Sequence, residues 1–160
     1  MSASVIRAYL LSWFRVDETT GGAPSGVNSP SHFEDLDQLF DLSSLTTPNP
    51  TLFAVYKTLI SGGGYNIDLT AAQGTNGNID ATGKKLLAVC IFNPAASAGF
   101  VQIATGGSNG YTLPQPIKVY PGGFTNQYQA ANLIAVDGTH KQLTITATNG
   151  DTPYIGLLFG

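Results

Sequence analysis

The stretch from Leu143 to Gly160, LTITATNGDTPYIGLLFG, decides how the rest of the chain is read. Leu143, Ile145 and Ala147 alternate with Thr144, Thr146 and Thr148, the period of a strand with one buried face. Asn149 and Gly150 then supply a turn signal, and a second apolar run, YIGLLFG, follows at once. Two strands joined by a short turn fit this text. An apolar strand of that kind is expected to be tied into a sheet, because a free apolar edge invites aggregation.

Composition points the same way. The 160 residues are 42% hydrophobic but only 11% charged, against about 25% charged in an ordinary soluble domain. Long helices carry Lys, Glu and Arg on their wet face, whereas sheets can show Thr, Ser, Asn and Gln to water. The charge deficit therefore argues for β structure, and for surface that meets protein rather than solvent. The formal net charge is −3 with seven basic residues scattered along the chain, so no basic stripe is present to neutralise a phosphate backbone, and nucleic acid is not an expected partner. The N-terminal text MSASVIRAYLLSWFRVDE has an apolar middle interrupted by Arg7 and Arg15. That is too short to span a bilayer and reads as neither a signal peptide nor a membrane anchor, so no membrane partner is expected.

From residue 51 onward, eight short apolar runs alternate with turn formers: TLFAVYKTLI, YNIDLT, KKLLAVCIFNP, GFVQIAT, IKVYPGG, NLIAVD, QLTITAT and YIGLLFG. The 19 glycines and nine prolines fall mostly between them, where positive or fixed φ is useful. This spacing predicts an all-β fold, an antiparallel sandwich or jelly roll, over residues 51–160. Residues 1–50 read differently. Residues 5–16 predict a strand, and residues 17–31, DETTGGAPSGVNSPS, predict a long loop or flexible arm. Phe33, Leu36, Leu39 and Phe40 are spaced by three and four, which predicts a short amphipathic helix ended by Pro48 and Pro50.

Residues that could carry chemistry are sparse. His32 and His140 are far apart in sequence, and no G-x-S-x-G elbow is present to support a hydrolytic triad. Glu34, Asp35, Asp37 and Asp41 cluster, but Leu36, Leu39 and Phe40 stand where a calcium loop needs ligands or glycine. Asp68, Asp80, Asp137 and Asp151 sit near turns, where Asp bonds neighbouring backbone; a glycosidase pair would need two of them about 5 to 9.5 Å apart. SGGGYN and TGGSNGY lack the ending of a phosphate loop. Cys90 lies inside an apolar run, where a buried inert thiol is expected. No catalytic residue, metal ligand or cofactor follows from the sequence. Aromatic residues stand out more. Tyr65, Tyr111, Tyr120, Phe124 and Tyr128 lie at or near expected loops, with Trp13 in the N-terminal segment, and exposed aromatics anchor protein interfaces or stack on sugars.

The order of segments from Tyr65 to Gly160 resembles small virion proteins of tailed bacteriophages. The residues that carry this are the IDLT strand, the TGKK turn, the IFNP strand end, the NGY loop, the PGG turn and the DGTHKQLTI strand. The resemblance implies a non-enzymatic β-sandwich accessory protein of the head or tail, in particular a capsid decoration or cement protein assembled in the host cytoplasm. It implies contact with the major capsid protein or other virion proteins, and a homo-oligomer. On that reading residues 5–31, Tyr111 and residues 120–124 form the contact surface. The alternative is a tail or fibre component that binds host-surface glycans through the loop aromatics.

Overall fold

The computed structural model describes residues 9–19, 31–41, 51–74, 77–128 and 133–160. Among the described residues twelve strands follow one another, with a 3₁₀ turn at Leu69–Ala71. β1 (Tyr9–Thr19) and β2 (Ser31–Asp41) pair with each other as a two-stranded antiparallel ribbon. The other ten build two sheets. β3 (Leu52–Lys57), β5 (Ala72–Gly74), β6 (Gly77–Ile79), β7 (Leu86–Phe92), β10 (Phe124–Tyr128) and β12 (Tyr154–Phe159) form a six-stranded sheet in the order β10-β7-β12-β3-β5-β6. β4 (Gly64–Asp68), β8 (Val101–Thr105), β9 (Ile117–Val119) and β11 (Gln142–Ala147) form a four-stranded sheet in the order β4-β11-β8-β9. All of these strand pairs are antiparallel.

The two sheets enclose one core, and the pleat decides its membership. Ala54 and Tyr56 from β3, Val89 and Ile91 from β7, and Ile155, Leu157 and Phe159 from β12 point in from one side. Ile67, Val101, Ile103, Ile117, Val119, Leu143 and Ile145 meet them from the other. The alternation read at Leu143, Ile145 and Ala147 is therefore the inner face of β11. The turn at Asn149 and Gly150 holds Gly150 at φ 93°, where glycine carries no Cβ penalty. β12 is central rather than peripheral: β3 bonds it on one side and β7 on the other. Its end is fastened further by Thr51 N to Phe159 O at 2.7 Å and by a reciprocal pair between Lys85 and Gly160.

Three expectations need correction. Residues 33–40 are not helical but belong to β2. The three-and-four spacing is also satisfied by residues on both faces of a strand, and the β1–β2 register sets apolar against apolar at Leu10 and Phe40, Leu11 and Leu39, and Phe14 and Leu36. Cross-strand pairs of that kind each contribute about 0.2 to 1 kcal/mol, which a short helix lacking a partner cannot match. NLIAVD is not a strand; Ala135 makes a single bridge to Lys85, and Val136 is buried through bonds to Lys84 and Gly83. Conversely β5, β6 and β10 stand where turns and polar text were expected. Of the expected arm, residues 20–30 lie outside the described residues.

One end of the sandwich is locked by two buried polar side chains. Asp151 accepts from Ala98 N at 2.7 Å and Gly99 N at 3.2 Å, and Asn93 Nδ2 donates to Gly99 O and Val119 O. Both residues are buried. Replacing Asp151 by Ala strands two amides, so Asp151→Ala is expected to cost about 2 to 3 kcal/mol. In urea unfolding it should lower the midpoint at an unchanged slope; an unaltered midpoint would show that this lock contributes nothing.

Candidate functional site

The aromatic residues singled out in the sequence separate into three groups. Tyr111 is 2% exposed, and its hydroxyl donates to Ile134 O at 2.7 Å while accepting from Leu86 N at 3.2 Å. It is a core residue joining two loops to β7, not contact surface, as NGY had suggested. Tyr65 is half-buried against the core beside Tyr56, ring centroids 6.3 Å apart. Its buried hydroxyl makes no hydrogen bond of full geometry. Burial first and the Tyr56 phenol second push its pKa up to about 12, against an opposing pull from the Thr58 hydroxyl. Tyr120 and Phe124 are 65% and 63% exposed and so remain available for contact. Tyr120 already packs edge-on against Phe100, over which Lys118 Nζ sits 3.7 Å from the ring centroid. Tyr128 closes β10 opposite Ala88, and Trp13 stands in β1 opposite Asp37; the side chains of both lie outside the described residues.

Phe124 leads to a surface that sequence reading missed. Because Ala54, Tyr56, Ile91 and Ile155 face the core, their neighbours along β3, β7 and β12 face outward, and β10 continues the same face. Register aligns them into three rows. Lys57, Tyr154, Phe92 and Phe124 form the first, Val55, Gly156, Cys90 and Asn126 the second, and Phe53, Leu158, Ala88 and Tyr128 the third. Lys57 is the only charged residue among these positions, and its Nζ lies 4.9 Å from the Tyr154 ring centroid. Phe92 and Tyr154 pack with centroids 5.8 Å apart. Phe53, Phe92, Phe124 and Tyr154 are all exposed.

A shallow apolar depression of about 340 Å³ lies between these rings, floored by Gly156 and Cys90. Glycine lets a ring lie close over the strand there. A Cβ at residue 156 would meet the edge of the Phe53 ring at 3.3 Å, so the ring lies over bare backbone. Cys90 is half-buried rather than fully buried, and burial pushes its thiol pKa up, which keeps it protonated and a weak nucleophile.

The outer face of the four-stranded sheet contrasts with this. Asn66, Thr144 and Ala104 make one row, and Gly64, Thr146, Gln102 and Lys118 the next. Thr144 Oγ1 donates to Asn66 Oδ1 at 2.8 Å. One outer face is thus aromatic and nearly uncharged, the other hydroxyl- and amide-rich.

The carboxylates build turns. Asp68, Asp80 and Asp137 each begin a D-x-T sequence, and each accepts from both the amide and the hydroxyl of the Thr two residues on, Thr70, Thr82 and Thr139. Burial tends to raise the Asp68 pKa, but Thr70 and Lys141, whose Nζ is 3.4 Å away, outweigh it and lower it. The hydroxyl and amide of Thr82 lower the Asp80 pKa, and those of Thr139, with His140, lower that of Asp137. His140, Thr139 and Asp137 do come together, Nδ1 standing 3.2 Å from the carboxylate, but within one exposed turn whose hydroxyl is already donated to Asp137. His32 lies in β2 opposite Glu18, and Asp35 opposite Arg15. Among the described residues no three His, Cys, Asp or Glu side chains gather into a metal-binding group, and no helix is long and apolar enough to cross a membrane.

No family model matches the chain, and neither a curated protein nor a solved structure matches it.

The two buried phenols should respond oppositely to loss of the hydroxyl. Tyr111→Phe breaks two hydrogen bonds and is expected to cost about 1 to 2 kcal/mol, whereas Tyr65→Phe removes an unpaired oxygen and should be neutral or stabilising; equal losses in denaturant unfolding would contradict this. Tyr56, Tyr65 and Tyr111 all have pKa values raised by burial. A raised phenol pKa contributes stability that is complete below the ordinary value of 10.0 and is lost as pH rises toward the folded value, about 12 for Tyr65. Melting temperature followed by circular dichroism should therefore fall through that alkaline window, and a flat profile would count against it.

Proposed function

We propose that the chain is a non-enzymatic structural subunit of a bacteriophage particle, a capsid decoration or cement protein that docks on neighbouring virion proteins through the outer face of its six-stranded sheet. The observation that carries this reading is the difference between the two outer faces. Four exposed aromatic rings surround an apolar depression on one, while threonine, asparagine and glutamine cover the other. A subunit that lies on a shell needs one face for the shell and one for water. With strands about 4.8 Å apart and about 6.7 Å between rows, the three rows on β10, β7, β12 and β3 cover about 400 Å² of sheet, on which Phe53, Phe92, Phe124 and Tyr154 are exposed and Leu158 and Ala88 are buried beneath their neighbours. The turn-and-strand resemblance to small phage virion proteins supplies the kind of partner. The carboxylates are consistent with it, since Asp68, Asp80, Asp137 and Asp151 are each engaged by backbone amides.

Glycan binding by the loop aromatics is supported less well. Tyr111 is inside the core, and Tyr120 is engaged by Phe100 and Lys118.

In particles purified from the source, the chain should be found by mass spectrometry; its absence would overturn the reading. Two central aromatic anchors lost together should weaken co-sedimentation with particles lacking the chain by about a hundredfold or more. The variant that tests this is Phe92→Asp with Phe124→Asp. Thr146→Lys on the polar face should bind as the native chain does. Equal binding by all three proteins would refute docking through this face.

A further inference from the structure

We propose that β10 is an assembly edge: it pairs antiparallel with the β10 of a second copy of this chain across a two-fold axis at Asn126, joining two six-stranded sheets into one. The pairing goes beyond the docking reading and does not depend on it.

The register shows which backbone groups β10 has to offer. Asn93 N donates to Gly123 O at 2.9 Å, directly before the Phe124↔Phe92 position of the β10–β7 ladder. Bonded and non-bonded pairs alternate along an antiparallel ladder, so Thr125 and Gln127 exchange their backbone bonds with Ile91 and Val89. The amides and carbonyls of Phe124, Asn126 and Tyr128 then point away from β7, along the outer border of the six-stranded sheet. Among the described residues no strand or loop bonds those of Phe124 and Asn126.

The other borders of the sandwich are blunted. β9 is three residues long, centred on Lys118 and preceded by Pro116; β6 is three residues long and starts on a glycine; β4 ends in the carboxylate of Asp68, 3.4 Å from Lys141 Nζ. Shortness, charge and proline are means by which an edge is kept from pairing. FTNQY has five residues and none of these devices. An open edge among blunted ones has its match in the same edge of a second copy, and a two-fold axis closes the contact after one step. Centred on Asn126, the pairing sets Asn126 against its own copy and Phe124 against the partner's Tyr128, each pair exchanging both backbone bonds. No charge meets its like, as Lys118 does in a β9–β9 pair. The axis stands perpendicular to the sheet, so the outer faces of both copies share one side. The exposed Phe53, Phe92, Phe124 and Tyr154 of each copy then lie on one continuous surface, and the threonine-rich faces lie on the other.

Amide hydrogen exchange resolved by residue tests the pairing on the full chain at low and high concentration, with light scattering on the same samples. As the mass doubles, exchange at Phe124, Asn126 and Tyr128 is expected to slow about tenfold, since only the dissociated fraction exchanges. Thr125 and Gln127, bonded to β7 in the single chain, should exchange slowly at both concentrations. A chain that stays monomeric, or a dimer whose outward amides exchange as they do in the monomer, overturns the pairing; contact through the aromatic faces gives the second result. Asn126→Pro removes the donor on the axis at an edge position where proline is tolerated. It should raise the dimer dissociation constant about tenfold or more with an unchanged circular dichroism spectrum. Asn126→Lys and Asn126→Glu test the axis without altering the backbone. Each alone sets like charges against each other and should dissociate about fivefold more readily, while an equimolar mixture should favour the heterodimer. A mixture that associates no more tightly than its components overturns the two-fold at Asn126. A dimer that particles lacking the chain do not take up leaves the pairing standing and ends the virion reading. A monomer with fast-exchanging outward amides that particles do bind has the reverse meaning.

Discussion

The double pairing of β12 is the constraint on which the rest of the molecule depends. This strand bonds β3 along one edge and β7 along the other, so it is what joins the group β3–β5–β6 to the pair β10–β7 in one six-stranded sheet. Its residues serve both sides at once. Ile155, Leu157 and Phe159 fill the core, and Tyr154, Gly156 and Leu158 lie in the three outer rows. A strand with one wet face would have brought threonine or lysine to those outward positions. β12 has none after Tyr154, and this is why the outer face it centres on is apolar.

The two surfaces of the sandwich follow from that asymmetry. On β11, the equivalent central strand of the smaller sheet, every outward residue is polar: Gln142, Thr144 and Thr146. The larger sheet is written as if it had two interiors. One is satisfied within the chain, and on the other Phe53, Phe92, Phe124 and Tyr154 stay exposed, which is the physical basis for the proposed structural role. The low charge of the whole chain then has two sources. Polar uncharged residues cover one sheet, and the other presents hydrocarbon and aromatic rings.

Strand periodicity made much of the fold legible. Leu143 to Ala147 and the Asn149–Gly150 turn carry their own evidence, because alternation and turn chemistry are local. What depends on a distant partner was not legible. β2 was read as helix because its spacing is ambiguous until β1 is laid against it. β10, FTNQY, has no apolar period and is a strand because β7 offers it an edge. The candidate site suffered most. Tyr111 looked like a loop aromatic, yet the loop folds inward and the ring is enclosed. Phe53, Phe92 and Tyr154 lie in apolar strand runs that single out no outer face, and only the register brings them side by side on the outside. A signal was present all the same. TLFAVYK, AVCIFN and YIGLLFG hold large apolar residues at both parities, which is the mark of a strand buried on two sides.

The order of strands also bears on how the chain is made. β3, β7 and β10 leave the ribosome before β12, and Leu52 must wait for Phe159, its register partner, across almost the whole sandwich. Until then β3 and β7 each hold an unsatisfied apolar edge, and the core lacks its largest fully buried side chain, Phe159. Sheets closed by such distant pairings fold slowly and expose sticky intermediates. The strand that gives the finished fold its cohesion therefore leaves the nascent chain at its most vulnerable until β12 has emerged and paired, so a shortage of helpers that shield open sheet edges would be felt at this step first.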